Sequence, residues 1–189
     1  MKSITTYITE ALRIKSGAKI ATGPNYKYFP KTKEELQEVL KQLIEERGND
    51  GDFNDIDTSK ITDMSELFID EKEFNGDISN WDVSKVENME GMFFNCKSFN
   101  QPLNDWDVSK VNNMVGVFLG CKSFNQPLNN WDISNCEDIQ FMFYWCTSFN
   151  QDVSNWKIAK GTRTDEMVFY KCPMEEKYKP KEFWLPKFK

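Results

Sequence analysis

Residues 99–123 read F-N-Q-P-L-N-D-W-D-V-S-K-V-N-N-M-V-G-V-F-L-G-C-K-S, and at Phe124 the same sentence begins again. Working outward, Trp81, Trp106, Trp131 and Trp156 stand 25 positions apart, as do Phe74, Phe99, Phe124 and Phe149, each followed by Asn. A fixed period of this length marks stacked units, none of which can bury its apolar face without a neighbour. The chain is read as a solenoid.

Within a copy, Val86, Met89, Phe93 and Cys96, then Val111, Met114, Phe118 and Cys121, follow the spacing of one helical face. Ser84 with Glu87, and Ser134 with Glu137, have the form of capping boxes, and Ser59 and Ser109 hold the same slot without the acid. Upstream, Trp106 and Val108 alternate across Asp107 as a short strand would. Stacking would align these strands about 4.8 Å apart, so the Phe, Leu or Ile, Trp, Val, Met and second Phe columns would form the interior. The column Asn75, Asn100, Asn125, Asn150 follows the Phe at a bend, where its amide can satisfy turning backbone.

The strings V-E-N-M-E-G-M-F-F-N-C-K-S-F-N and N-W-D-V-S-K-V resemble the BspA-like leucine-rich-repeat proteins, in particular the 25-residue repeat of Mycoplasma lipoproteins. The resemblance covers residues 53–172. It implies a binding solenoid, often at bacterial surfaces, with no catalytic residues. The expected fold is α/β: a right-handed leucine-rich-repeat-like solenoid with one short parallel strand and one short helix per coil. Residues 1–52 would supply N-terminal helices and a cap, 53–172 the solenoid, and 173–189 an irregular C-terminal cap. The terminal copies depart from the pattern. Phe53-Asn54 marks a shortened first copy with Ile56 in the Trp position, and the last has Lys157 for Asp and an extra residue before Phe169 and Cys172.

The chain's 189 residues suit one domain, and 24 basic against 30 acidic side chains, net −6, argue against a phosphate-backbone partner. Cys96, Cys121, Cys146 and Cys172 share a column, with Cys136 in another. Ladder pitch falls within disulfide reach, but a Cys ending an apolar stripe reads as a small buried thiol, and the spacing is unlike zinc-site pairs. There is no His, the commonest general base and metal ligand. No catalytic motif, cofactor site or metal cluster is legible.

Thr5, Thr6, Thr9 and Glu10 interrupt what a secretory signal would need, and no stretch is long enough for a membrane span. A cytoplasmic or virion location follows as the expectation. Ile4, Tyr7, Ile8, Leu12 and Ile14 form an apolar stripe suited to packing on the body or, through residues 3–14, on a second copy. The opening M-K-S-I-T-T-Y-I-T-E is similar to those of proteins encoded by tailed phages and prophages. That resemblance implies such an origin, and Ile8-Thr9-Glu10 would fit a leader cleavage site. Residues 16–30 read as an irregular linker. Thr32 and Glu35 then open a helix as a capping box, Leu36, Val39, Leu40, Leu43 and Ile44 give its buried face, and Gly48 stops it. At the far end Pro173, Pro180 and Pro186 forbid regular structure, while Tyr178, Phe183, Trp184, Leu185 and Phe188 offer apolar cover.

Asp82, Asp107 and Asp132 would stack at ladder spacing, where like charges repel by about 1 kcal/mol per pair in water and about 3 to 4 at an effective dielectric of 20. Lys60, Lys85 and Lys110 form a compensating column, and each Asp can cap a turn. The recurring Trp column reads as core, its alternative being an exposed aromatic ladder for a glycan. Trp145 lies outside that column, where Asn95 and Gly120 stand in other copies, and is the best single surface anchor. The expected function is a non-enzymatic scaffold binding a macromolecule, a protein first and a glycan second, with no nucleic acid. Its contact residues are read as Asp82, Asp107, Asp132, Asn104, Asn129 and Trp145; a phage structural role and a carbohydrate-binding module are the alternatives.

Overall fold

The structure, a computed structural model, describes residues 25–165 and 167–183. The opening stripe at residues 3–14, its leader reading, and Trp184, Leu185 and Phe188 lie outside them. Among the described residues there is one α-helix, α1 (Lys33–Arg47), two 3₁₀ turns (Glu176–Tyr178 and Lys181–Phe183), and no extended strand. Parallel pairing is confined to isolated bridges, including the series Asp63, Asn88, Asn113, Asp138, Arg163. The expected α/β solenoid of one strand and one helix per coil is therefore overturned. Copies do lie in register, but each coil is built of turns.

The apolar spacing read as a helical face comes from a run of turns. Leu67 N–H donates to Met64 O, Ile69 to Glu66, and Glu71 to Phe68. The alternate amides of Met64, Glu66, Phe68 and Asp70 leave the coil and donate to Asn88, Glu90, Met92 and Phe94 carbonyls at 2.8–2.9 Å. Ser65 N–H goes to the Asp63 side chain at 2.8 Å. Every amide from 64 to 71 thus has a partner, half of them in the next coil. An α-helix would close each amide on the carbonyl four residues back. Residues with positive φ break that pattern at 66 and 70, 91 and 95, 116 and 120, 141 and 145. In the second and third coils these are Gly91, Asn95, Gly116 and Gly120, the residue types that adopt this conformation most readily.

The strand and capping-box readings fail for a related reason. Trp106 N–H donates to Leu103 O and Val111 N–H to Val108 O, so Trp106 and Val108 point inward from successive turns. Ser84 and Ser134 do not cap helices, since their amides are held by Asp82 and Asp132 two residues back. The first coil is not shortened either. Asp52 bridges Asp77, which sets Phe53 in the Ile78 column and leaves Asn49 in the position of Phe74.

Stacked columns fill the interior. Phe68, Phe93, Phe118, Phe143 and Phe169 stack with ring centroids 5.4–5.6 Å apart, and Phe74, Phe99, Phe124 and Phe149 form a second file at 5.9–6.1 Å. The files touch at 4.1–4.2 Å within each coil. Tryptophan indoles reach back to carbonyls, Trp81 to Phe53 at 3.0 Å, Trp131 to Leu103 at 2.8 Å and Trp156 to Leu128 at 2.9 Å. The equally buried indole of Trp106 has no acceptor. Cys96, Cys121, Cys146 and Cys172 thiols donate in the same manner to Phe68, Phe93, Phe118 and Phe143 carbonyls at 2.8–3.0 Å, and all five cysteines are free. Burial raises the pKa of Cys96 and Cys121, and pushes Cys136 up to about 11.

Polar ladders run beside the core. Asn75 Oδ1 accepts the Asn100 amide, Asn100 Oδ1 that of Asn125, and Asn125 Oδ1 that of Asn150, each at 2.9 Å. Gln101, Gln126 and Gln151 donate to the Asn75, Asn100 and Asn125 carbonyls at 2.8–3.0 Å.

Helix α1 covers the first coil. Thr32 accepts Glu35 N–H at 3.3 Å, Glu35 Oε2 accepts Lys31 N–H at 2.7 Å, and Gly48 (φ 77°) closes the end on Ile44 O. Leu36, Val39, Leu40 and Leu43 are buried, and Ile44 is partly so. Arg47 clamps Asp55 bidentately at 2.8 and 3.0 Å against the Tyr28 and Phe53 rings, with Lys27 on the same carboxylate at 3.0 Å. Tyr28, in the stretch expected to be an irregular linker, bridges Ile56. At the other end Met174 and Pro180 are buried, and Phe183 meets Phe169 edge-on at 5.2 Å.

Asn100→Ala would hand the exposed Asn125 amide to water, a loss of about 0.5–1.5 kcal/mol, whereas Asn100→Asp keeps an acceptor oxygen. Urea unfolding is expected to rank them parent, Asp, Ala.

A candidate binding face

The residues singled out from sequence fall into two groups that occupy different segments of the coil. Asp82, Asp107 and Asp132 recur one coil apart at the edge after each Trp, the first half-buried and the others exposed. Each bends its own chain: their Oδ1 atoms accept the Ser84, Ser109 and Ser134 amides at 3.0, 3.1 and 3.0 Å, and Ser109 Oγ adds a bond to Asp107 at 2.6 Å. Hydrogen bonds from Ser84, aided by Lys85 and Lys110, hold Asp82 below the usual carboxylate range. Ser134, aided by Lys157, does the same for Asp132. These bonds and lysines answer the stacking repulsion. Asn104 Oδ1 holds the Asn130 amide at 3.0 Å, and the Asn129 carbonyl accepts from Asn155 Nδ2 at 2.7 Å.

Trp145 lies elsewhere, on the face formed by the ladder of turns. Its neighbours were hidden by the helical reading. The column Ile69, Phe94, Leu119, Tyr144, Tyr170 runs along this face, its members tied in register by amides of Asp70, Asn95, Gly120 and Trp145 donating to the next coil's carbonyl. None belongs to the core; Ile69 and Tyr170 are 42% and 41% exposed.

At the fourth and fifth coils the stripe widens into an aromatic cluster. Phe141 meets Tyr144 edge-on at 5.9 Å, Tyr144 stacks on Tyr170 at 5.2 Å, Trp145 leans on Tyr144 at 6.4 Å, and Lys171 Nζ sits 5.3 Å from the Tyr170 ring centre. Phe141 and Trp145 remain 37% and 43% exposed. Both have positive φ, 58° and 63°, in slots where the two preceding coils place Gly91, Gly116, Asn95 and Gly120 and the first coil places Glu66 and Asp70. A Cβ in the left-handed region costs about 1–2 kcal/mol, so bulky rings stand where folding favours glycine. A deviation from the repeat at these two slots was the signal available in sequence, and only the Trp145 half of it was read.

The four recurring tryptophans are 3–4% exposed and offer no aromatic ladder to a glycan. No helix among the described residues is long and apolar enough to cross a membrane.

A family model described as "Mycoplasma protein of unknown function, DUF285" matches residues 35–156 and 77–179. No curated protein and no solved structure matches the chain.

Two outcomes follow. Trp145→Gly and Phe141→Gly each relieve the left-handed Cβ, against an unfolded-chain entropy cost of about 0.5–1 kcal/mol and a lost ring contact with Tyr144 of about 0.5–1.5 kcal/mol; urea unfolding should show stability within about 1 kcal/mol of the parent. The Asp82 and Asp132 carboxyls have folded pKa values below their ordinary 3.8. The stability they supply is therefore present above that value and lost as pH falls below it through the depressed folded pKa. Asp132→Asn, which keeps the acceptor without the charge, should make the acid-side fall in the urea midpoint shallower.

Proposed function

The chain belongs to the DUF285 family of Mycoplasma repeat proteins, and from the face that its coils present we propose that it is a non-enzymatic scaffold which binds a protein partner. The contact is centred on Phe141, Tyr144, Trp145 and Tyr170. One observation carries this reading: two exposed aromatic rings occupy positive-φ positions that the two preceding coils fill with Gly or Asn and the first coil with Glu66 and Asp70. Strained residues retained on an over-determined framework are the kind that serve recognition. Clustered Trp and Tyr are also the side chains that dominate protein interfaces, because they give large contact area with few rotatable bonds. Behind them, amides bonded from coil to coil hold the rings on a framework that need not order on binding.

The Asp82, Asp107 and Asp132 edge has a lesser place in this reading, since one oxygen of each carboxylate already serves its own turn. In this proposal a sugar ligand would have to use the same cluster, as the recurring tryptophans are buried.

The test is affinity capture from source cells with the intact chain, beside a Phe141→Gly/Trp145→Gly variant of equal thermal stability. A protein recovered by the parent and depleted at least tenfold with the variant is the expected result. Equal recovery by both, or a glycan-array signal that persists in the variant, would move the contact away from this cluster.

A further inference from the structure

We propose that two copies of the chain pair antiparallel through their turn faces, the aromatic cluster of each seated in a groove at the opposite end of the other. This rests on the reading of the turn face as a binding surface and names one occupant for it, a second copy.

The groove lies between α1 and the first coil and has a volume of about 420 Å³. Leu40, Ile44, Leu67 and Ile69 give it apolar walls, and Glu45, Glu66 and Glu71 outweigh Lys41 to leave its lining net negative. Glu66 to Glu71 is the first coil's run of the same turn ladder that carries the cluster at Phe141 to Trp145. Groove and cluster are therefore the two ends of one face, three coils apart, or about 14 Å at the usual inter-strand spacing. Between them Phe94 and Leu119 continue the apolar stripe half-buried.

The two ends are also complementary in charge. Residues 49–98 carry thirteen acidic and four basic side chains, whereas the described residues between 149 and 183 carry five acidic and seven basic. At the cluster the cation is Lys171, held over Tyr170, and at the groove Glu66 is exposed at a positive-φ position, with Asp70 further along the coil accepting from Asn95 Nδ2 at 2.9 Å. A two-fold axis across the Phe94 and Leu119 stripe brings cluster to groove twice, with Lys171 of each copy against the acids of the other. Such an arrangement is self-complementary and closed, so it stops at two copies. A parallel pairing would instead set acid on acid at one end and leave both grooves empty.

The experiment is sedimentation velocity on the intact chain over a concentration series. The expected result is a monomer–dimer equilibrium that weakens with added salt and weakens at least tenfold in Phe141→Gly/Trp145→Gly, with thermal melting unchanged. Glu66→Lys alone and Lys171→Glu alone should each dissociate. Mixed one to one they should form a heterodimer, because the charge-reversed groove of the first variant then meets the charge-reversed cluster of the second, while the other end keeps Glu66 against Lys171. A monomer at every concentration, a dimer indifferent to the aromatic variant, or no recovery on mixing overturns the pairing. A monomer whose captured protein still depends on Trp145 defeats the pairing and leaves the scaffold reading standing. A dimer whose captured proteins do not change with the variant does the reverse.

Discussion

The molecule depends on where alternate backbone amides go. In each run of turns every second N–H points along the stack and finds the next coil's carbonyl, at 2.7–2.9 Å in the three coil pairs between Met64 and Tyr144. A backbone amide left without a partner in such a packed column would cost more than a paired one returns, so a coil is complete only with its neighbour in register. The side-chain columns follow from this. Once the amides fix the pitch, Phe falls on Phe, Asn on Asn, and the thiols of the Cys96, Cys121, Cys146 and Cys172 column beneath Phe carbonyls. Hydrophobic burial then supplies the driving force, while hydrogen bonds select one register among those an apolar column would tolerate.

Much of this was legible in the chain. The period of 25, the interior columns, the bend-stabilising Asn column and the whole of α1 with its Thr32 cap and Gly48 stop were readable, because each rests on local residue chemistry. The local path of the coil was not. Val111, Met114, Phe118 and Cys121 have the spacing of a helix, but that spacing records only which residues point inward. A row of turns that puts Gly116 and Gly120 in the left-handed region yields the same inward set. Gly and Asn recurring every four residues were the contrary signal, and apolar periodicity outweighed it.

The candidate face was half legible for the same reason. Trp145 stood out because it broke a column, whereas Phe141, which replaces the glycine of Gly91 and Gly116, lies on the apparent helix but off its apolar spacing and drew no reading. Tyr170 was masked by the inserted residue that shifts the last coil out of simple period. Asp82, Asp107 and Asp132 drew attention as stacked charge, and the structure shows that charge spent on holding turns through Ser84, Ser109 and Ser134. Conspicuous recurrence marked what every coil needs to stand, whereas the departures from it marked the surface that sets one coil apart.

The caps give this arrangement a property that a globular core lacks. Helix α1 seals one end and the segment around Met174 and Phe183 seals the other, while the coils between them meet through equivalent contacts. Inserting or excising one whole 25-residue unit would leave both seals and every kind of contact intact. The stack is thus a ruler: the distance between features at its two ends is adjustable only in whole increments, and can be reset without redrawing either feature.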